Sequence, residues 1–82
     1  MLITNKADTR DFLEMLSEGD TIIPDARNAK YVYVFRRSTD KVTFAHIKVA
    51  HQSSDFATYQ IDCNVVWSIR NSINKWLSSH AA

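Results

Sequence analysis

"KYVYVFRRSTDKVTFAHIKV", residues 30–49, contains two segments rich in β-branched and aromatic residues on either side of the polar stretch STDK. This pattern predicts a β-hairpin with Thr39 and Asp40 at the centre of its turn. The predicted register places these residues opposite each other: Phe35 and Phe44, Tyr33 and His46, Tyr31 and Lys48, Arg37 and Val42. We prefer it because a slip by one residue would mix two well-sorted faces.

Both faces of this hairpin are largely apolar, and one layer of helices can cover only one of them. We predict that the inward face is the aliphatic one, formed by Val32, Val34, Ala45, Ile47 and Val49, with Arg36 and Thr43 near the turn. The aromatic face would then be left for a partner, and it consists of Tyr31, Tyr33, Phe35, Phe44, His46 and Lys48. The alternative is an aromatic core with outward valines, since aromatic side chains bury more area per residue.

The segment before the hairpin predicts one helix, over about residues 8–18. Either Asp8 or Thr4 can serve as its N-cap, and Gly19 follows where a left-handed residue commonly ends a helix. Its apolar face consists of Phe12, Leu13 and Leu16 together with Thr9. The sequence TIIP, ending at Pro24, predicts a short extended piece before the hairpin.

The segment after the hairpin predicts a polar loop at HQSSD, a third strand at FATYQI and a last helix from about Asp62, its N-cap, to about Ser78. The apolar arc of this helix consists of Val66, Ile69, Ile73, Trp76 and Leu77, with Val65 at its edge. The whole chain, residues 1–82, is therefore expected to form one α+β domain. We predict a two-layer sandwich of order α-β-β-β-α, with both helices on one face of a three- to four-stranded antiparallel sheet.

Composition places the chain among ordered globular proteins, with 45% hydrophobic and 23% charged residues but only one glycine and one proline. The single cysteine excludes an intramolecular disulfide and favours a reducing compartment, and no apolar run approaches the roughly 20 residues that span a bilayer. We therefore expect a cytoplasmic protein that does not enter a membrane. The net charge is only +1, yet residues 1–25 are acidic and residues 26–51 are basic.

The outer face of the last helix is a candidate protein contact. Trp67 points away from the apolar arc, and its surroundings are polar but almost uncharged. Solvated helix faces usually carry Glu and Lys, whereas interfaces are enriched in Trp and Arg. We predict a protein-binding patch at Trp67, Arg70, Asn71 and Asn74. The alternative is that Trp67 folds back onto the molecule.

The first helix carries a stripe of like charge at Asp11, Glu14 and Glu18. Carboxylates at these spacings repel one another, so the stripe could serve a basic partner. The simpler interpretation is a solvated face balanced by the protein's own Arg or Lys residues.

The basic hairpin suggests nucleic-acid binding as the alternative function, because aromatic rings stack bases and cations neutralise phosphates. The candidate residues are Tyr31, Tyr33, Arg36, Arg37, Lys41 and Lys48. The order αβββα is similar to that of double-stranded RNA-binding domains. Their lysine cluster at the start of the last helix is missing from the corresponding stretch, DCNVVWSIRNS.

No catalytic, cofactor or metal site is predicted. Cys63 has no histidine near it in sequence, the three histidines are poorly spaced for a metal, and one glycine cannot build a phosphate loop. We therefore expect a non-catalytic protein-binding module, acting as a stoichiometric inhibitor or adaptor that occupies a partner's site. In size and composition the chain resembles phage-encoded host-takeover and anti-CRISPR proteins. A homodimer through the open sheet face is the simplest variant.

Overall fold

The computed structural model describes residues 1–50 and 59–80, which form an α+β fold with an antiparallel sheet. The elements in chain order are α1 (Lys6–Met15), β1 (Gly19–Pro24), β2 (Tyr31–Ser38), β3 (Lys41–Lys48), β4 (Tyr59–Gln60), α2 (Cys63–Ser68) and α3 (Arg70–Ser79). The four strands lie side by side in the order β1-β2-β3-β4. The predicted loop HQSSD and the start of the predicted strand FATYQI fall at residues 51–58, outside the described residues.

The predicted register of the hairpin is confirmed. Strands β2 and β3 pair with Phe35 opposite Phe44 and Tyr33 opposite His46. Ser38 lies opposite Lys41, so Thr39 and Asp40 form the turn. Side chains alternate between the two faces of the sheet along each strand. In this register the aromatic residues of β2 and β3 share one face and the aliphatic residues share the other, whereas a slip by one residue would mix them.

The inward face is the aromatic one, so the prediction that the aliphatic face lies inward is wrong. Phe35 is 1% exposed and packs edge-on against Phe12 of α1, with ring centroids 5.6 Å apart. The buried core gathers residues from α1, α2 and α3, from the connections beside them and from this sheet face: Ile3, Phe12, Leu16, Ile23, Phe35, Ile61, Val66, Ile73 and Leu77. In a small domain the large rings bury more apolar area per position than valine can, which favours this choice.

Helix α1 begins at Lys6, and its N-cap is Asn5. The prediction of Thr4 or Asp8 as the N-cap is therefore wrong. Asn5 Oδ1 accepts a hydrogen bond from the Asp8 amide at 3.1 Å, and the Asp8 carboxylate accepts one from the Asn5 amide. This is a capping box, in which the two side chains satisfy each other's backbone donors. The predicted inward face is confirmed, since Thr9, Phe12 and Leu16 are buried and Leu13 is half-buried against the core.

The end of α1 also differs from the prediction. The helix ends at Met15, with an extended C-cap at Leu16, so Glu18 lies outside it. Gly19 has the expected left-handed backbone, with φ of 99°, but it opens β1 instead of closing the helix. The extended piece predicted at TIIP is the main part of β1, which adds a fourth strand to the sheet beside β2.

The last helix begins as predicted and is interrupted once. Asp62 caps α2 by accepting a hydrogen bond from the Val65 amide at 2.9 Å. At Ile69 the helical backbone is interrupted, with φ of −110° and ψ of 16°, and α3 continues from Arg70. The apolar arc is confirmed, because Val66, Ile73 and Leu77 are buried and its other members pack against the core.

Truncation of one side chain on each face tests the inward assignment. We expect Phe35→Ala to lower the free energy of unfolding by about 3–5 kcal/mol, the usual cost of removing a buried aromatic ring. Val49→Ala is the matched control on the other face, and we expect it to cost well under about 1 kcal/mol because Val49 is 60% exposed. Urea unfolding of wild type and of both variants measures these changes in the free energy of unfolding. A larger loss for Val49→Ala than for Phe35→Ala would reverse the assignment.

Candidate protein-binding site

The sheet face opposite the helices is apolar, and we call it the aliphatic face. It is formed by Ile22, Pro24, Val32, Val34, Ala45, Ile47 and Val49. Val49 follows β3, and its amide continues the ladder by donating to the Lys30 carbonyl at 2.8 Å. The described helices pack on the other side of the sheet. Val34 and Ala45 at the centre are buried, Val32 and Ile47 are half-buried, and Ile22 and Val49 at the margins are 58% and 60% exposed. An apolar surface of this kind is typical of an interaction site.

The edge of the sheet at β1 borders a groove of about 330 Å³ between this strand and α3. The end of the strand is held to the helix because the Ala26 amide donates a hydrogen bond to Ser72 Oγ at 2.9 Å. The groove is lined by Ile22, Pro24, Asp25, Ala26, Ser72, Lys75, Trp76, Ser79 and His80. Apolar side chains therefore continue from the aliphatic face around the edge of the sheet, with the exposed Lys75 at the rim.

Asp25 forms a polar cluster with His46 that the sequence did not indicate. Its carboxylate is buried, accepts a hydrogen bond from the Arg27 amide at 2.8 Å and lies 2.8 Å from His46 Nε2. The imidazole stacks on Tyr33, with centroids 4.4 Å apart, and its centroid lies 5.0 Å from that of Tyr31. The only sign of this cluster in the local sequence is that Asp25 directly follows Pro24, the last residue of β1. The partner is on β3, which no local pattern could reveal.

This cluster perturbs two ionisable groups. The pKa of Asp25 is lowered, first by the hydrogen bond from the Arg27 amide and further by His46, although burial opposes the shift. The pKa of Tyr33 is raised, chiefly by burial and then by the nearby Asp25 charge. The arrangement ties the loop after β1 to the inward face of the sheet, and it holds the His46 ring between two tyrosines.

Three of the four residues of the predicted Trp67 patch make contacts within the molecule. Trp67 is half-buried against the core, and the guanidinium carbon of Arg70 lies 4.1 Å from its ring centroid. Asn71 is exposed, as predicted. Asn74, in contrast, donates to the Ile3 carbonyl and accepts from the Ile3 amide, at 3.0 and 2.7 Å. Asn74 therefore anchors the N-terminal segment to α3, whereas we predicted a residue free to meet a partner.

The predicted acidic stripe is exposed but does not lie on one helix. Asp11 and Glu14 belong to α1, whereas Glu18 lies in the connection to β1 because the helix ends early. Glu14 borders a cleft of about 280 Å³ that is also lined by the basic residues Arg10, Arg37 and Lys41. This proximity favours the simpler interpretation, in which the protein's own cations balance the helix charge.

The predicted nucleic-acid residues are divided between the two faces of the sheet. Tyr31, Tyr33, Arg37 and Lys48 belong to the face that carries the helices, whereas Arg36 belongs to the aliphatic face. Arg36 forms a bidentate ion pair with Asp20, whose pKa it lowers, and Arg37 donates a hydrogen bond to the Leu13 carbonyl. Lys41 is exposed beside the turn. The six residues therefore do not form one continuous surface.

Three further findings bear on function. Within residues 1–50 and 59–80, no three His, Cys, Asp or Glu side chains are grouped so that they could hold a metal ion. No helix in the described part of the chain is long and apolar enough to cross a membrane. Comparisons with protein-family models, curated proteins and solved structures found no significant match to this chain.

The Asp25 cluster predicts a pH-dependent contribution to stability. A carboxyl whose pKa is lower in the folded state stabilises the fold above its unfolded pKa of about 3.9, and this contribution is lost as the pH falls through the folded pKa. We expect Asp25→Asn to be less stable than wild type by about 1–3 kcal/mol at pH 7. The difference should shrink as the pH falls below about 4.

Urea unfolding from pH 7 to pH 2.5 measures this difference. Asp40→Asn removes a carboxylate from the exposed turn and is the control, for which we expect a change within about 0.5 kcal/mol at pH 7. A difference between wild type and Asp25→Asn that stays constant across the pH range would show that the Asp25 charge contributes nothing.

Proposed function

We propose that this chain is a small, non-catalytic protein-binding module, which acts as a stoichiometric inhibitor or adaptor by occupying a site on a protein partner. The observation that carries the proposal is the aliphatic face, an apolar sheet surface opposite the helices with strongly exposed margins at Ile22 and Val49. Keeping apolar side chains such as Ile22 and Val49 in water is unfavourable, and exposed apolar residues grouped on one face commonly mark an interaction site. The exposed thiol of Cys63 suits a reducing, cytoplasmic setting.

The dimensions of the molecule are compatible with a protein interface of ordinary size. A stable protein interface buries about 800 Å² on each partner, which is roughly a seventh of the 5615 Å² accessible surface of this molecule. A contact of that area requires most of one side of a molecule that measures 33 × 29 × 25 Å. The aliphatic face offers exposed apolar margins at Ile22 and Val49 and half-buried side chains at Val32 and Ile47. Polar residues such as Asp20 and Arg36 lie beside them, as they do at the rims of interfaces.

Charged substitutions on the aliphatic face test the proposed contact. We expect Ile47→Lys combined with Val49→Lys to weaken binding of a protein partner at least tenfold, because two ammonium groups would be desolvated at the interface. Both side chains are on the face away from the helices, and Val49 is exposed, so the variant should still fold. Thr39→Lys, at the exposed turn, adds charge outside the face and is the control.

The measurement has two steps. Tagged wild type is first used to isolate and identify a partner, and calorimetric titration with the purified partner then gives stoichiometry and affinity for each variant. We expect one module per site and wild-type affinity for Thr39→Lys. Equal affinity for wild type and the doubly substituted variant, with both folded by circular dichroism, would place the contact elsewhere.

Nucleic-acid binding remains the alternative function and makes a different prediction. The basic block at residues 26–51 favours it, yet Arg36 and Arg37 are on opposite faces and already engaged. We expect no binding of labelled single- or double-stranded DNA or RNA by fluorescence anisotropy at about 50 or 200 mM salt. Micromolar binding that collapses at the higher salt, and that Arg36→Ala with Arg37→Ala abolishes, would replace our proposal with this alternative.

A further inference from the structure

On the edge of β1 that faces away from β2, the backbone of Asp20 and Ile22 has no hydrogen-bond partner within residues 1–50 and 59–80. Pro24 lies opposite Val32, and the Asp25 amide donates to the Tyr31 carbonyl at 3.1 Å. In an antiparallel ladder the hydrogen-bonded pairs alternate, so Gly19, Thr21 and Ile23 bond to β2. The amides and carbonyls of Asp20 and Ile22 consequently point to the free edge. Pro24 adds only a carbonyl there, since proline has no amide hydrogen.

Ile22, in the middle of this edge, is 58% exposed. Proteins commonly protect an edge strand with a charge, a bulge or a covering element, because an open edge can pair with another chain. Here Pro24 blocks one end of the strand, while the segment around Ile22 combines free backbone groups with an apolar side chain. This combination marks β1 as a pairing surface.

We propose that a second copy of this chain pairs with β1 antiparallel, with Ile22 opposite Ile22 of the second copy. In this register the amide of each Ile22 donates to the carbonyl of the other. At both ends of the ladder, the Asp20 amide of one copy donates to the Pro24 carbonyl of the other. The outward amides of Asp20 and Ile22 then all have acceptors. Because Pro24 has no amide hydrogen, the Asp20 carbonyl opposite it receives no hydrogen bond from the second copy and stays with water.

Charge complementarity favours a second copy as the occupant of this edge. The same register brings Glu18 of one copy opposite Ala26 of the other, where Lys75 lines the groove. Glu18 and Lys75 are both exposed, and neither has an ion-pair partner among the residues that the structure describes. Two-fold symmetry would therefore create two Glu18–Lys75 pairs, one at each end of the paired strands.

The resulting dimer would join two four-stranded sheets into one of eight strands. Its aliphatic faces would be continuous across the paired strands, with the two Ile22 side chains adjacent at the centre. This inference goes beyond the proposed function, because it concerns the edge of the sheet and holds whether or not the face binds another protein.

Analytical ultracentrifugation over about 1–500 µM protein tests the dimer, since assembly follows mass action. We expect wild type to shift from 9.4 kDa towards twice that mass as concentration rises. Ile22→Lys places two like charges opposite each other and should raise the dimer dissociation constant at least tenfold. Wild type that stays monomeric throughout, or a dimer insensitive to Ile22→Lys, would overturn the proposal.

A charge exchange tests the register independently of Ile22. We expect Glu18→Lys and Lys75→Glu each to weaken the dimer several-fold, and the double variant to recover wild-type dissociation, because each new lysine would meet the new glutamate of the other copy. Glu14→Lys makes the same charge change on α1, away from the edge, and should leave the dissociation constant unchanged. Failure of the double variant to recover dimerisation would overturn the register. A monomer that still binds a protein partner would remove the dimer and leave the proposed function intact.

Discussion

The contact between Phe12 and Phe35 decides the architecture of this protein. One ring comes from α1 and the other from the central strand β2; they meet edge-on at 5.6 Å, and both are essentially inaccessible to water. Because side chains alternate along β2, burying Phe35 directs Tyr33 to the helices and directs Val32 and Val34 away from them. The existence of an apolar sheet surface opposite the helices follows from that one contact. The candidate interaction surface is thus a consequence of how the core was packed.

Several polar side chains that a sequence would assign to the surface are used to connect elements. Asn74 holds the backbone of Ile3, Arg37 caps a carbonyl at the end of α1, and Asp25 joins the loop after β1 to His46. Each of these bonds spans more than twenty residues of sequence. A buried or half-buried polar group must find such a partner, since leaving it unsatisfied costs about 1–3 kcal/mol. Polar residues in a small domain therefore have less freedom to serve a partner than their number suggests.

The two proposed contacts have Ile22 in common, but they would bind through different kinds of interaction. The aliphatic face would bind through apolar area, whereas the edge of β1 would bind through backbone hydrogen bonds and two ion pairs. Ile22 belongs to both, because it is on the outermost strand with its side chain on the exposed face. A dimer formed at the edge would leave the faces open and would present two of them side by side. The dimer could then engage a partner at two adjacent sites, with a gain in avidity.

The sequence by itself determined the features that depend on neighbouring residues. The alternation of side chains along residues 30–49 was enough to predict the hairpin and its register. The helical spacing of apolar residues was enough to predict the inward faces of α1 and of the last helix. Tertiary structure decided which hairpin face is buried, the early end of α1 that displaces Glu18, and the partners of Asn74 and Asp25. Both hairpin faces were apolar enough to be core, so the local pattern could not choose between them. The choice was made by the packing of Phe12 and the other helix residues against Phe35, which are distant in sequence and meet only in the folded chain.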